Sequence, residues 1–155
     1  MLKNIPPILS PELLKTLCEM GHGDRIVLAD GNFPAASIAA GGGRLIRCDG
    51  HGIPELLRAI LVLFPLDTYV DQPVGLMAVT PGDPVETPIW DKYYTLIADA
   101  DPRGRDAVRA VERFAFYAEA RAAYAVVATG ESALYANMIL QKGVVMPSGG
   151  AQYGG

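Results

Sequence analysis

Histidine and cysteine are scarce in this sequence, two of each among 155 residues, and there is a single tryptophan. Cys18 and Cys48 lie in apolar surroundings, and no Cys/His cluster has the spacing of a zinc site. The pair reads as two buried, reduced thiols of a cytoplasmic protein. Long apolar runs are absent as well. The longest, AILVLF at 59–64, is stopped by Pro65, far short of the length that crosses a bilayer. The opening stretch MLKNIPPILS has neither the apolar core nor the cleavage site of a signal peptide. Basic runs are missing, and the formal net charge is −4, which argues against a nucleic-acid partner. There is no Walker pattern. AGGGRL at 40–45 precedes a strand instead of following one, so it fails the context of a dinucleotide loop. TGESALY at 129–135 lacks the Gly-x-Ser-x-Gly elbow of a serine hydrolase.

What is present is a balanced globular chain, 50% hydrophobic and 19% charged, long enough for one domain with a proper core. SPELLKTLCEMG at 10–21 marks a helix: Ser10 as cap, Pro11 in the first turn, Glu12 at the positive end, Gly21 as the stop. Its expected apolar face is Leu13, Leu14, Leu17 and Cys18. RIVLA at 25–29 and RLIRC at 44–48 read as strands, with a glycine-rich loop holding one helical turn between them. IPELLRAILVLF at 53–64 reads as a helix apolar nearly all round, buried in the core or under a neighbouring subunit. A strand at 74–79 and a helix at 89–100 follow. DAVRAVER at 106–113 reads as a strand, 114–123 as a helix, and YAVVAT at 124–129 as a strand. The segment 134–146 reads as a turn and an extended stretch, and the glycine-rich tail 147–155 as disordered. Strands alternating with helices predict an α/β domain of three α/β/α layers, its mostly parallel sheet covered on both faces.

In open α/β sheets ligands bind beyond the carboxyl ends of the strands. Asp30 follows the strand 25–29, Arg113 ends the strand expected at 106–113, and Tyr135 and Asn137 lie after the strand 124–129. A carboxylate, a fixed cation, a phenol and an amide suit a ligand rich in hydroxyls. Each also has a plainer reading: Asp30 as a helix cap, Arg113 as a surface ion pair, Tyr135 as a core residue with its hydroxyl at the rim. His22, in Gly-His-Gly-Asp, precedes the strand that Asp30 follows. Five strand residues span roughly 17 Å. The two residues therefore sit at opposite ends of one strand: either they never meet, or they meet across a subunit boundary. Alternatively, His22 is simply a solvated turn residue. His51, also between glycines, reads as a turn before the helix that starts near Pro54.

SPELLKTLCEMGHGDRIVLADGNFP, RFAFYAEARAAYAVVATGE and YANMILQKGVV resemble the L-fucose mutarotases, which share one fold family, RbsD/FucU, with the D-ribose pyranases. The resemblance runs from residue 1 to about 146, which makes 1–146 a single domain with a mixed α/β/α sheet. It implies a cofactor-free, metal-free sugar isomerase interconverting the α and β anomers of L-fucose, assembled as a symmetric ring, commonly a decamer, with sites at subunit boundaries. By position, His22 matches the acid/base histidine and Asp30 a sugar-binding aspartate. Arg113 matches the arginine that opens Arg-Phe-Ala-Phe-Tyr, a motif completed by Tyr117. Tyr135, Ala136 and Asn137 match the substrate-contacting Tyr-x-Asn segment. The glycine-rich loop 41–43, His51, Ala136 and the tail depart from the fucose-type pattern. The alternatives are a ribose-type pyranase and a non-catalytic sugar-binding protein. Mutarotation needs a group that both takes and gives a proton near neutrality, which imidazole provides. Tyr135 and Asn137 would complete the orientation of the sugar; alternatively, Tyr117 or Tyr135 would be the second proton-transfer partner.

Overall fold

The computed structural model describes residues 1–147. The tail expected at 147–155 falls outside them except for Pro147, which is exposed coil. Helix α1 (Pro11–Glu19) begins as its cap requires, the Ser10 hydroxyl accepting the Leu13 N–H at 3.1 Å. Its buried residues are Leu13, Thr16 and Leu17. Cys18 is exposed, not buried as expected: at about 100° per residue it has turned about 140° from Leu13. Cys48 is buried, and both thiols are free.

The chain continues through β1 (Arg25–Ala29), α2 (Ala35–Ala39), β2 (Arg44–Cys48), α3 (Ile53–Leu61), β3 (Val74–Met77), α4 (Pro88–Ala100), β4 (Val108–Val111), α5 (Arg113–Arg121), β5 (Ala125–Thr129) and β6 (Met138–Gln141). The strand expected over 106–113 is shorter than its pattern suggests. A 3-10 turn, Gly104–Ala107, takes its start, and Arg113 opens α5 instead of ending a strand. The cause is Glu112, whose carboxylate accepts the N–H groups of Phe114 (2.9 Å) and Ala115 (3.0 Å) and so starts a helix there. The apolar helix at 53–64 buries Ile53, Leu56, Leu57 and Ile60 but ends at Leu61, and Val62 beyond it is 62% exposed.

The sheet order is β2-β5-β1-β6-β3-β4. The β1–β5, β2–β5 and β3–β4 pairs are parallel, whereas β6 runs antiparallel to both β1 and β3. Alternation along the strands splits the apolar residues between two cores. Ile26, Leu28, Val127 and Met138 pack with α1, α3 and α4, and Val27, Ala29, Val126 and Ile139 pack with α2 and α5. This gives three layers, α/β/α, with β1 buried on both faces.

The antiparallel β6 positions the candidate residues. Met138 pairs with Leu28, and Gln141 with Arg25. The segment entering β6 therefore reaches the carboxyl end of β1, and the segment leaving it reaches the amino end.

Candidate functional site

At the carboxyl end of β1, Asp30 is 7% exposed. Its N–H donates to Asn137 Oδ1 at 2.7 Å, and its Oδ1 accepts the Asn32 N–H at 3.0 Å. Burial pushes the Asp30 carboxyl above its ordinary value, against the pull of the Asn32 and Phe33 N–H groups and of Asn137. A cleft of about 300 Å³ brings Asp30 together with Arg113, Tyr117, Tyr135, Asn137 and Asp83. Arg113 is exposed at the start of α5, its guanidinium 5.8 Å from the centroid of the Tyr117 ring one turn on. Tyr117 stacks on Phe33 at 5.5 Å. Donors, acceptors and aromatic faces thus line a concave, partly polar site, a combination suited to a polyol.

His22 is not in this cleft. It stands at the amino end of β1, its Nε2 3.1 Å from Oδ1 of Asp67 and its ring 5.0 Å from that of Tyr69. The His22 side chain is 45% exposed and that of Asp67 only 2%. Asp67 also accepts the Tyr69 N–H at 2.9 Å and the Gln141 Nε2–H at 2.9 Å. Burial pushes its carboxyl up, but the hydrogen bonds from Tyr69, Gln141 and His22 outweigh this and hold it below the ordinary range. An ionised carboxylate only accepts, so Nε2 of His22 carries a proton and Nδ1 is the nitrogen left for chemistry. Arg103 holds the loop behind this pair, donating to the carbonyls of Asp67 (2.9 Å) and Val70 (2.8 Å) while pairing with Asp101 at 2.8 Å.

Of the residues expected from the sequence, Asp30, Arg113, Tyr117, Tyr135 and Asn137 share one cleft. His22 is remote from it, in keeping with the length of β1. Ala136 has its side chain wholly buried in the core, and its carbonyl accepts the Tyr93 hydroxyl at 2.8 Å, so its methyl group does not line the cleft. His51 is part of the start of α3: Nδ1 lies 3.1 Å from Glu55 Oε1, which also accepts the Gly52 N–H at 3.0 Å. Asp67 and Asp83 join these two groups without being singled out by the sequence pattern. An aspartate within the apolar stretch FPLDTYV was the one local sign of Asp67, and Thr-Pro-Gly-Asp the sign that Asp83 sits at a turn.

Residues 3–145 match the RbsD / FucU transport protein family. The chain belongs to the RbsD / FucU family. Its relatives in that family include the fucose mutarotase of Danio rerio, 53% identical over 95% of this chain and 96% of that one. Among solved structures, FucU from Bifidobacterium longum is 62% identical, covers 93% of this chain and all of its own (100%), and superposes with a TM-score of 0.91. The fucose mutarotase of Streptococcus pneumoniae, solved in complex with L-fucose, is 52% identical over 94% of this chain and 100% of its own, with a TM-score of 0.86. The mixed sheet and both groups of polar residues described above thus stand on an RbsD / FucU fold.

Proposed function

We propose that this protein is a mutarotase that interconverts the α and β anomers of L-fucose, or of a closely related aldose, by acid/base-assisted ring opening and closure. The observation that carries this reading is the likeness, along nearly the whole chain, to fucose mutarotases. The polyol-suited cleft supports it. In the reaction the anomeric hydroxyl gives its proton to His22 Nδ1, the O–H electron pair becomes the second bond of the C1 carbonyl, and the C1–O5 bond breaks. The ring oxygen keeps the electron pair of the broken C1–O5 bond and takes up a proton. Rotation about C1–C2 and the reverse steps close the ring on the other face of the carbonyl. No electrons leave the sugar and no group is transferred, so the chemistry calls for neither a cofactor nor a metal. Asp30, Arg113 and Asn137 would hold sugar hydroxyls, Arg113 through its fork of donors.

His22 and Asp30 lie at opposite ends of β1, and the full site is accordingly composite in this reading. One subunit supplies Asp30, Arg113, Tyr135 and Asn137, and its neighbour supplies His22 with Asp67. A closed ring of copies, a decamer, satisfies every such boundary alike. Residues 1–146 act as a single domain, and the enzyme works in the cytoplasm, where an exposed thiol such as Cys18 stays reduced.

Saturation-transfer NMR on equilibrated L-fucose, with D-ribose and D-galactose as comparisons, tests the activity. The expected result is protein-dependent exchange between the anomeric proton signals of L-fucose that disappears in His22→Ala; no exchange with any sugar refutes the reading. Mixing inactive His22→Ala and Asp30→Ala proteins under subunit exchange tests the composite site. Part of the activity should return, and verified mixed oligomers that stay inactive rule a shared site out.

A further inference from the structure

Tyr135 has a backbone φ of 53°, a left-handed conformation that bulky side chains rarely adopt. Strain of this kind persists where surrounding contacts over-determine the residue, and it gathers at functional sites. Two sets of contacts hold Tyr135. Its carbonyl accepts the Trp90 Nε1–H at 2.8 Å, which ties the backbone to α4. Its hydroxyl donates to Oδ2 of Asp83 at 2.6 Å and accepts the Thr80 N–H at 3.3 Å. Both of these partners come from one tight turn. The Asp83 N–H donates to the Thr80 carbonyl at 3.0 Å, Pro81 follows Thr80, and Gly82 has φ +87°. That is the pattern of a type II turn, with proline in the second place and a glycine supplying positive φ in the third. The turn grips one phenol from two sides.

A phenol has one proton to give and two lone pairs. Here the proton is committed to a carboxylate, a charge-assisted bond stronger than one between neutral groups. One lone pair is occupied by the Thr80 N–H. Tyr135 lines the cleft, and with its proton and one acceptor position committed its hydroxyl has only an acceptor position left to offer a ligand. We infer that Asp83 is a positioning residue that fixes the Tyr135 hydroxyl as a hydrogen-bond acceptor for a sugar O–H, making Tyr135 a binding group and not the donor of the ring-oxygen proton. This inference rests on the mutarotase reading. It decides between the two tyrosines considered as proton-transfer partners, because Tyr117 has no such carboxylate partner among the described residues. It also sets a specificity rule. A sugar that lacks a hydroxyl at the position facing Tyr135 forfeits that bond, and one with a buried acceptor there meets another acceptor.

The test is a double-mutant cycle on the full chain in its native assembly, using Asp83→Ala, Tyr135→Phe and the two combined. Kd for L-fucose is read by NMR titration, and KM and kcat by anomer exchange. Each single change should raise Kd and KM about fivefold to tenfold, the worth of one hydrogen bond, with kcat changed far less. The double variant should lose little more than either single one, since both act through the same hydroxyl. Asp83→Asn, whose amide oxygen still accepts the phenolic proton, should recover most of the affinity lost in Asp83→Ala. A Tyr135→Phe variant with kcat reduced about a hundredfold at unchanged KM would mean that the phenol passes a proton, and would overturn the inference. Multiplicative losses in the double variant, or an Asp83→Asn variant as weak as Asp83→Ala, would overturn it too. Wild-type protein that exchanges no anomers defeats the mutarotase reading instead, and the Kd cycle still reads the Asp83–Tyr135 linkage in that case.

Discussion

Replacing Asp67 with asparagine changes one oxygen for an NH2 group at a site with no room for the exchange. The carboxylate now accepts three hydrogen bonds, from Tyr69 N–H, Gln141 Nε2–H and His22 Nε2–H, with its side chain 2% exposed. Asparagine has one oxygen. If that oxygen stays with Tyr69 and His22, its amide faces the Gln141 amide, donor against donor. Turning Gln141 over only passes the conflict on, because Gln141 Oε1 already accepts Arg25 Nε–H at 3.2 Å. If the asparagine turns instead, its amide faces the Tyr69 N–H and His22, and His22 must lose its Nε2 proton and protonate Nδ1. Either way one buried donor goes unsatisfied, at a cost of about 2 kcal/mol. For a domain of this length that lowers Tm by roughly 4–8 °C. The second outcome also removes the nitrogen proposed to take the sugar's proton, and general acid–base catalysis is worth about a hundredfold or more. The assays are thermal unfolding followed by circular dichroism, ring-nitrogen NMR of His22 for its tautomer, and anomer exchange on L-fucose. Asp67→Asn protein that melts with the wild type and exchanges anomers at the wild-type rate would refute the reasoning from the bond geometry upward.

Other consequences follow from the same contacts. Burial raises the proton affinity of Asp30, so the folded state resists its ionised form. That cost is present above the folded pKa and vanishes below the ordinary value of 3.8. Asp30→Asn should therefore raise Tm at pH 7 but not at pH 3, while abolishing anomer exchange; equal Tm changes at both pH values would contradict the burial argument. Arg103 donates to Asp101, and that hydrogen bond is the main reason the Asp101 carboxyl lies below its ordinary 3.8. The stabilisation is present above 3.8 and is lost as pH falls through the folded value. Arg103→Met should cost about 2–3 kcal/mol near neutrality, with a gap to the wild type that narrows below pH 3.8, as measured by urea unfolding across pH. A Cβ on Gly130 would collide with the Asp49 carbonyl oxygen, a backbone atom that cannot swing aside. Gly130→Ala should lose at least about 2 kcal/mol in the same assay, and a wild-type midpoint would show that the β5 end tolerates displacement.

Local pattern made most of the elements legible. The Ser-Pro-Glu start of α1, the apolar run of β1 and the run ahead of Gly130 each carry their signal within a few residues, and each appears in the structure close to the expected place. Errors came where a nearby hydrogen bond outranked periodicity. At Val108–Val111 the alternation is real, but the Glu112 cap turns the chain into a helix from Arg113 onward. The chemistry of Cys18 suggests the apolar face, but helical rotation places it outside. The cleft residues were found because aspartate, arginine, tyrosine and asparagine near strand ends are conspicuous, and the Tyr-x-Asn segment added Ala136, whose side chain belongs to the core.

Composition and spacing show no zinc-ligand spacing, no dinucleotide-loop context and no apolar run of bilayer length, set the α/β class, and put His22 and Asp30 a strand's length apart. These are properties of the chain over a few residues, and they survive whatever the rest of the fold does. The pairing of His22 with Asp67 and of Tyr135 with Asp83 was not available from the same reading. The partners are 45 and 52 positions apart. They meet because β6 inserts antiparallel between β1 and β3, delivering Tyr135 and Asn137 to one end of the sheet and Gln141 to the other. Strand direction and order are settled by the burial of both sheet faces over the whole molecule, a cooperative quantity that no short segment carries.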